Sequence, residues 1–167
     1  GLKRIVVDRN KTSVGQAVEE VFSSQENSLS FVDLGFPVEA CSVRICDDSD
    51  IVLDDNRTGH IQIKGGNVTG GYYNNSKATK TAFTEDGWLR TGDLGFFRNG
   101  RLVVTGRAKD IIFVNGQNYY PHDLERLIEE VCGIPLGRSA VCGILDKEQQ
   151  TEVITVFILY KGSLENF

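Results

Sequence analysis

Gly106-Arg-Ala-Lys-Asp-Ile-Ile-Phe-Val-Asn-Gly-Gln-Asn-Tyr-Tyr-Pro-His-Asp-Leu-Glu125 is where the texture of the chain changes. Before it, short strands are punctuated by glycine turns. After it, strands and a helix share the sequence. Ile111–Val114 is an apolar strand that Asn115-Gly116 ends. Pro121–Val131 predicts a helix: proline suits the first helical turn, and Leu124, Leu127, Ile128 and Val131 fall on one face. Ser139–Leu145 and Glu152–Tyr160 read as strands. This half is therefore an α+β unit of order strand–helix–strand–strand, and the boundary between the halves falls near Arg107–Asp110.

Upstream, Arg101–Thr105 and Trp88-Leu89 read as strands, with Asn99-Gly100 a hairpin turn before the former. Ser76–Phe83 predicts a short helix capped by Ser76. Ser42–Cys46 and Gly59–Lys64 alternate apolar and polar residues, as half-buried strands do. Asp47–Gly59 between them is acidic and turn-like. Short strands joined by glycine turns suggest a small β-barrel or sandwich. Lys3–Val7 is a further strand. Ser13–Phe22 is expected to be a short helix capped by Ser13, with Val14, Val18 and Val21 on one face, and Ser23–Ser30 a loop.

Composition narrows the function classes. Of 167 residues, 40% are hydrophobic and 25% charged, enough apolar material for a packed core. A net charge of -5 and the lack of any basic run disfavour nucleic acid and membrane surfaces. No apolar stretch approaches the roughly 20 residues of a membrane span. Cys41, Cys46, Cys132 and Cys142 form no CxxC pair, and with His60 and His122 the only histidines no zinc site is expected; scattered reduced thiols fit a cytoplasmic protein. The chain holds no Met and opens on no signal-peptide pattern, so it reads as an excised piece of a larger protein.

Three segments can carry chemistry. Gly59-His-Ile-Gln-Ile-Lys-Gly-Gly-Asn-Val-Thr-Gly-Gly-Tyr-Tyr73 lacks the Gly-Lys-Ser/Thr ending of a phosphate loop, and alone it reads as hairpin glycines. Asp86-Gly-Trp-Leu-Arg-Thr-Gly-Asp-Leu-Gly95 places the Asp93 carboxylate on a glycine-flanked turn. There it is able to accept hydrogen bonds from two ribose hydroxyls, or simply to cap neighbouring N–H groups. In Gly106–Glu125, Arg107 brings a planar donor set suited to phosphate or ribose oxygens. A solvated charge cluster at a domain boundary is the alternative.

Taken together, in this order and spacing, the segments resemble the adenylate-forming superfamily of acyl-CoA synthetases, luciferases and adenylation domains of nonribosomal peptide synthetases. Gly59–Tyr73 is similar to its Gly-Glu-Leu/Ile…Gly-Tyr motif, Arg90-Thr-Gly-Asp-Leu94 matches its Thr-Gly-Asp motif, and Gly106-Arg-Ala-Lys-Asp…Gly116 resembles its hinge motif. Gly116-Gln-Asn-Tyr-Tyr-Pro-His-Asp-Leu-Glu125 is similar to the pattern of fatty acyl-AMP ligases, loading domains of polyketide and hybrid synthases. Val7-Asp-Arg…Gly15-Gln-Ala-Val18 resembles the insertion that marks that branch, and Phe31-Val-Asp-Leu-Gly-Phe-Pro37 the segment that follows it. Asp33-Leu34 replaces a Ser-Cys pair there, and His60 replaces the usual Glu.

The resemblance implies an α+β fragment. Residues 1–106 would be the C-terminal part of the large adenylation domain, with an insertion-like segment over about 1–33 and a β-barrel-like subdomain over about 34–106. Residues 107–167 would begin the small C-terminal subdomain, with the hinge near Lys109. Asp93 would bind the ribose hydroxyls of ATP and of the adenylate, with Arg107 beside it. Gly116 would lie on the loop that approaches the phosphopantetheine thiol. The implied reaction activates a carboxylic acid as acyl-AMP with ATP and Mg²⁺, then passes it to the phosphopantetheine of an acyl carrier protein, as in antibiotic biosynthesis. The family's phosphate loop and Mg²⁺-holding Glu would lie upstream of Gly1 and its catalytic Lys downstream of Phe167. The fragment alone is expected to be inactive, with no cofactor bound. Two other readings stay open: a non-catalytic binding or interaction module built on the same fold, and an acyl-CoA ligase fragment.

Overall fold

The computed structural model describes residues 3–115, 117–146 and 151–160. The chain divides into two compact units, Gly1–Lys109 and Asp110–Phe167. The architecture is α+β: mostly sheet, with two α-helices among the described residues.

The first unit is built on β1 (Arg4–Asp8), β2 (Ser28–Gly35), β3 (Cys41–Cys46), β4 (Gly59–Gly65), helix α1 (Ser76–Ala82), β5 (Leu89–Arg98) and β6 (Arg101–Arg107). The strands form one antiparallel sheet in the order β1-β2-β6-β5-β4-β3. Alternation along the strands selects the buried face: Val7, Phe31, Ile45, Ile61, Phe96 and Val103 are all buried. Asn99 and Gly100 sit at φ 52° and 72°, the two left-handed positions of the tight turn that joins β5 to β6. That turn sets Arg98 opposite Arg101 and fixes the register of the hairpin.

The sheet does not close into the expected barrel. β1 and β3 are its edges. The outer side of β3 is instead met by the loop that leaves it, through a bridge from Cys46 to Val52 and the bond Leu53 N–H to Ile45 O at 2.8 Å.

The helix expected over Ser13–Phe22 is absent. Gly15 N–H donates to Thr58 O, Val18 N–H to Asn56 O and Val21 N–H to Val6 O, so the backbone donors point across the sheet edge rather than along the chain. The valines that suggested a helical face lie on a segment of turns and isolated bridges, Ala17 to Arg57 and Glu20 to Val7. The polar stretch read as a loop up to Ser30 already begins β2 at Ser28. Asn75, not Ser76, caps α1, its Oδ1 accepting from Ala78 N–H at 3.0 Å.

The second unit holds the antiparallel pair β7 (Ile112–Val114) and β8 (Gln117–Tyr119), helix α2 (Pro121–Cys132), and the antiparallel pair β9 (Ser139–Asp146) and β10 (Thr151–Ile158). β8 was not expected. It is short, and Asn118 between two polar-tipped residues gives no apolar alternation. Pro121 opens α2, and Gly133 at φ 64° ends it in a left-handed cap. Glu125 and Glu129 of α2 accept from Val141 N–H at 3.0 Å and Gly137 N–H at 2.7 Å, tying the helix to β9 and to the turn before it. Leu127 and Val131 of the helix's apolar stripe are exposed among the described residues. The cysteines are free thiols, with Cys46 buried and its thiol pushed up by that burial.

Candidate functional site

The pairing of β5 with its neighbours is interrupted where Thr91, Gly92 and Asp93 occur. On the β4 side, His60 faces Leu94 and Gln62 faces Arg90, so Ile61 alone stands opposite these three residues. On the β6 side, Thr105 is skipped between Gly106 and Val104. Bulges of this kind bend a strand and re-aim its side chains. Gly92 makes the bend, with φ +82° and nothing within 4 Å of where a Cβ would stand. The turn is then stapled by a hydroxyl. Thr91 Oγ1 donates to Ile61 O at 3.0 Å and accepts from Asp93 N–H at 3.0 Å.

Asp93 and Arg107 face each other in register across β5 and β6. The Arg107 Nε to Asp93 Oδ1 distance is 3.3 Å, and both side chains are open to solvent, at 31% for Asp93 and 55% for Arg107. The pair thus presents acceptors and a planar donor set on the same side of the hairpin end, which suits a ligand carrying vicinal hydroxyls beside phosphate. Ala108 N–H donates to Gly92 O at 2.9 Å, so the chain leaving β6 is fastened to the turn itself. Lys109, next in sequence, is exposed and is the last residue of the first unit. Gly116 lies outside the described residues. The Gly-rich segment supplies β4 and the loop to α1, where Tyr72 N–H donates to Thr79 Oγ1 at 2.9 Å.

A second layer surrounds the turn, which the sequence did not single out. Arg90, just before Thr91, forks onto Asp50 through Nε at 3.2 Å and Nη2 at 2.5 Å. Its Nη1 donates to Phe83 O at 2.8 Å, where α1 ends. Gln62, fully buried on β4, donates to Asp50 and accepts from Arg44 Nε at 2.9 Å. Arg44 stacks over Trp88 at 4.5 Å and forks onto Asp86. That fork, with the Thr84 hydroxyl, holds the Asp86 carboxyl down at about 2. The Arg90 guanidinium likewise keeps the Asp50 carboxyl below its usual range. Gln62 falls in step with the apolar–polar alternation of Gly59–Lys64 and so reads as an outward-facing polar residue, which is why its burial was not legible in the sequence.

The two departures from the family pattern have structural partners. His60 Nε2 meets Asp48 Oδ1 at 2.8 Å. Asp33, buried on β2, is held by Arg101 Nε at 3.0 and 2.8 Å and by Gly35 N–H at 2.9 Å. Among the described residues, no three His, Cys, Asp or Glu side chains converge as a metal ion requires. No described helix is long and apolar enough to cross a membrane.

A bulged Thr-Gly-Asp turn facing an arginine at the end of an antiparallel hairpin, followed by a second α+β unit, fits the adenylate-forming superfamily, and sequence and fold comparisons agree. The chain is 37% identical over 156 residues to nonribosomal peptide synthetase btyA of Aspergillus terreus, a match covering 89% of this chain and 17% of the synthetase. Among solved structures, it is similar to a keto acid-selecting nonribosomal peptide synthetase module containing adenylation, ketoreductase and pseudo-Asub domains. That likeness has a TM-score of 0.82 at 33% identity and covers 93% of this chain and 13% of that one. It is also similar to the fatty acyl-adenylate ligases of E. coli and L. pneumophila, with a TM-score of 0.82 at 27% identity over 99% of this chain and 29% of that one. No family model matches the chain.

Proposed function

We propose that this chain is the ribose-holding and hinge-bearing stretch of an acid-activating, AMP-forming ligase. The observation that carries the reading is the Asp93–Arg107 pair, set by register across the hairpin and stapled from behind by Thr91. Asp93 accepts from the ribose hydroxyls of ATP and of the acyl-adenylate, and Arg107 donates to ribose or phosphate oxygens. In the complete protein a carboxylate oxygen attacks the α-phosphorus, the acyl–phosphate bond forms, and pyrophosphate leaves with the electron pair of the broken P–O bond. Electrostatic neutralisation and positioning carry such a step. Lys109 is the hinge between the two units, and Gly116 belongs to the loop that nears the incoming thiol.

The acceptor in this reading is a carrier-protein phosphopantetheine. The thiol attacks the acyl carbon, a thioester forms, AMP departs and the thiol proton passes to solvent. The similarity to synthetase modules and to fatty acyl-adenylate ligases supports a place in a multidomain synthase. The chain by itself is expected not to turn over, since its sequence holds no Ser/Thr/Gly-rich phosphate loop and no Tyr-Gly-x-Thr-Glu motif.

The test is carboxylate-dependent ATP–pyrophosphate exchange by the complete protein, over a broad panel of acids, with Asp93→Ala alongside. Exchange in the wild type and its loss, by at least roughly tenfold, in the variant are expected. No exchange with any acid overturns the enzyme reading. Efficient acyl-CoA formation without transfer to holo carrier protein overturns the acceptor assignment.

A further inference from the structure

The acidic loop after β3 passes for a solvated turn, yet one of its carboxylates reaches the start of the Thr91–Asp93 turn. We infer that Asp50 is a positioning residue for the nucleotide site, holding Arg90 and through it the orientation of Asp93. This rests on the function proposed above.

The loop is built to aim that carboxylate. Asp47 Oδ1 accepts from Ser49 N–H and Ile51 N–H, both at 2.9 Å, and Asp50 N–H donates to Asp47 O at 3.1 Å. Asp50 itself stands at φ 62°, a left-handed conformation that non-glycine residues seldom adopt. Its side chain then spans from the edge strand, past Gln62 on β4, to Arg90 on β5. Gln62 and Arg90 are register partners, so one carboxylate closes both.

Arg90 is fully committed by this arrangement. Nε and Nη2 bind Asp50, and Nη1 binds the carbonyls of Phe83 and Thr81. The guanidinium therefore ties together the loop after β3, the end of α1 and the residue preceding Thr91. An ordinary exposed ion pair contributes little. This one is a fork, and it shares its carboxylate with a buried amide that would lose its acceptor if the carboxylate moved. The bulged turn has no ladder partners of its own on the β4 side beyond the Thr91 hydroxyl. Freeing its leading end lets Asp93 swing relative to Arg107, and displacements on the scale of an ångström are costly to a positioned group.

The expected consequence is on ATP binding rather than on the chemical step, because ribose contacts are kept from ground state to transition state. In the complete protein, Asp50→Asn raises KM for ATP in pyrophosphate exchange roughly tenfold with kcat changed much less. Arg90→Lys, which cannot fork, does the same. In the double variant the two effects do not multiply, because both break one contact. A merely structural role would instead lower the thermal midpoint and the active fraction, leaving KM for ATP where it was. An unchanged KM in Asp50→Asn, or effects that multiply in the double variant, overturns the inference. If wild-type exchange is present and Asp93→Ala abolishes it while Asp50→Asn has no effect, the positioning role alone fails. If the wild type shows no exchange with any acid, the functional reading and the positioning role fail together.

Discussion

At the scale of single residues, the site depends on one backbone angle and one hydroxyl. Gly92 at φ +82° has open space where a Cβ would project, so the penalty for Gly92→Ala comes from the backbone alone. That penalty is about 1–2 kcal/mol, and it is expected as a lower urea midpoint of the chain with an unchanged m-value. A loss well below this range would mean that the turn relaxes to negative φ on substitution. Asp93 and Arg107 are separate motif residues in the sequence, and nothing in their spacing says that they touch. Their adjacency follows from the Asn99-Gly100 turn, which sets the hairpin register, together with the bulge at Thr105, which shifts that register by one residue and brings Arg107 rather than Gly106 opposite Asp93. Asp33 and His60 were legible only as departures from a pattern. What they do is set by partners distant in sequence, Arg101 and Asp48.

At the scale of elements, local signals served where the element is decided locally. Alternation marked β3 and β4, the Asn-Gly turn marked the β5–β6 hairpin, and Pro121 with its apolar stripe marked α2. They failed where an element is decided by its neighbours. Ser13–Phe22 has helical spacing, yet its donors are claimed by Thr58, Asn56 and Val6. β2 hid behind a polar start because Asp33 faces inward and is neutralised by Arg101, which breaks the apolar pattern of a buried strand. The expected barrel failed for a similar reason: the loop after β3 folds back on the edge that closure would have needed. Capping gives a sharp test. Asn75 Oδ1 accepts from Ala78 N–H, whereas Ser76 is already the first helical residue. Asn75→Ala is expected to cost about 1 kcal/mol, measured by denaturant unfolding, and Ser76→Ala close to nothing. The reverse ranking would return the cap to Ser76.

At the scale of the molecule, the chain is acidic, with a net charge of -5, and several of its carboxylates are held ionised by arginines that reach across strands. Arg101 holds the Asp33 carboxyl below its usual range, Arg90 does so for Asp50, and Arg44 brings Asp86 down to about 2. In each case the folded value lies below the unfolded one, near 3.9 on average. The stability such groups contribute is therefore fully present above about pH 4 and lost as pH falls through the folded values. For Asp86 the window runs from about pH 4 down to about pH 2. Trp88, the only tryptophan, lies against Arg44 and reports on this network by fluorescence. Arg44→Gln removes the fork that holds Asp86, so wild type and variant are expected to differ most in urea stability above pH 4. The difference should shrink steadily as the pH is lowered, because the wild type is losing the charge on Asp86 that the variant no longer exploits. A gap that stays constant from neutral pH into the acid limb would assign the role of Arg44 to its stacking on Trp88 and its bond to Gln62, contacts that do not titrate with Asp86.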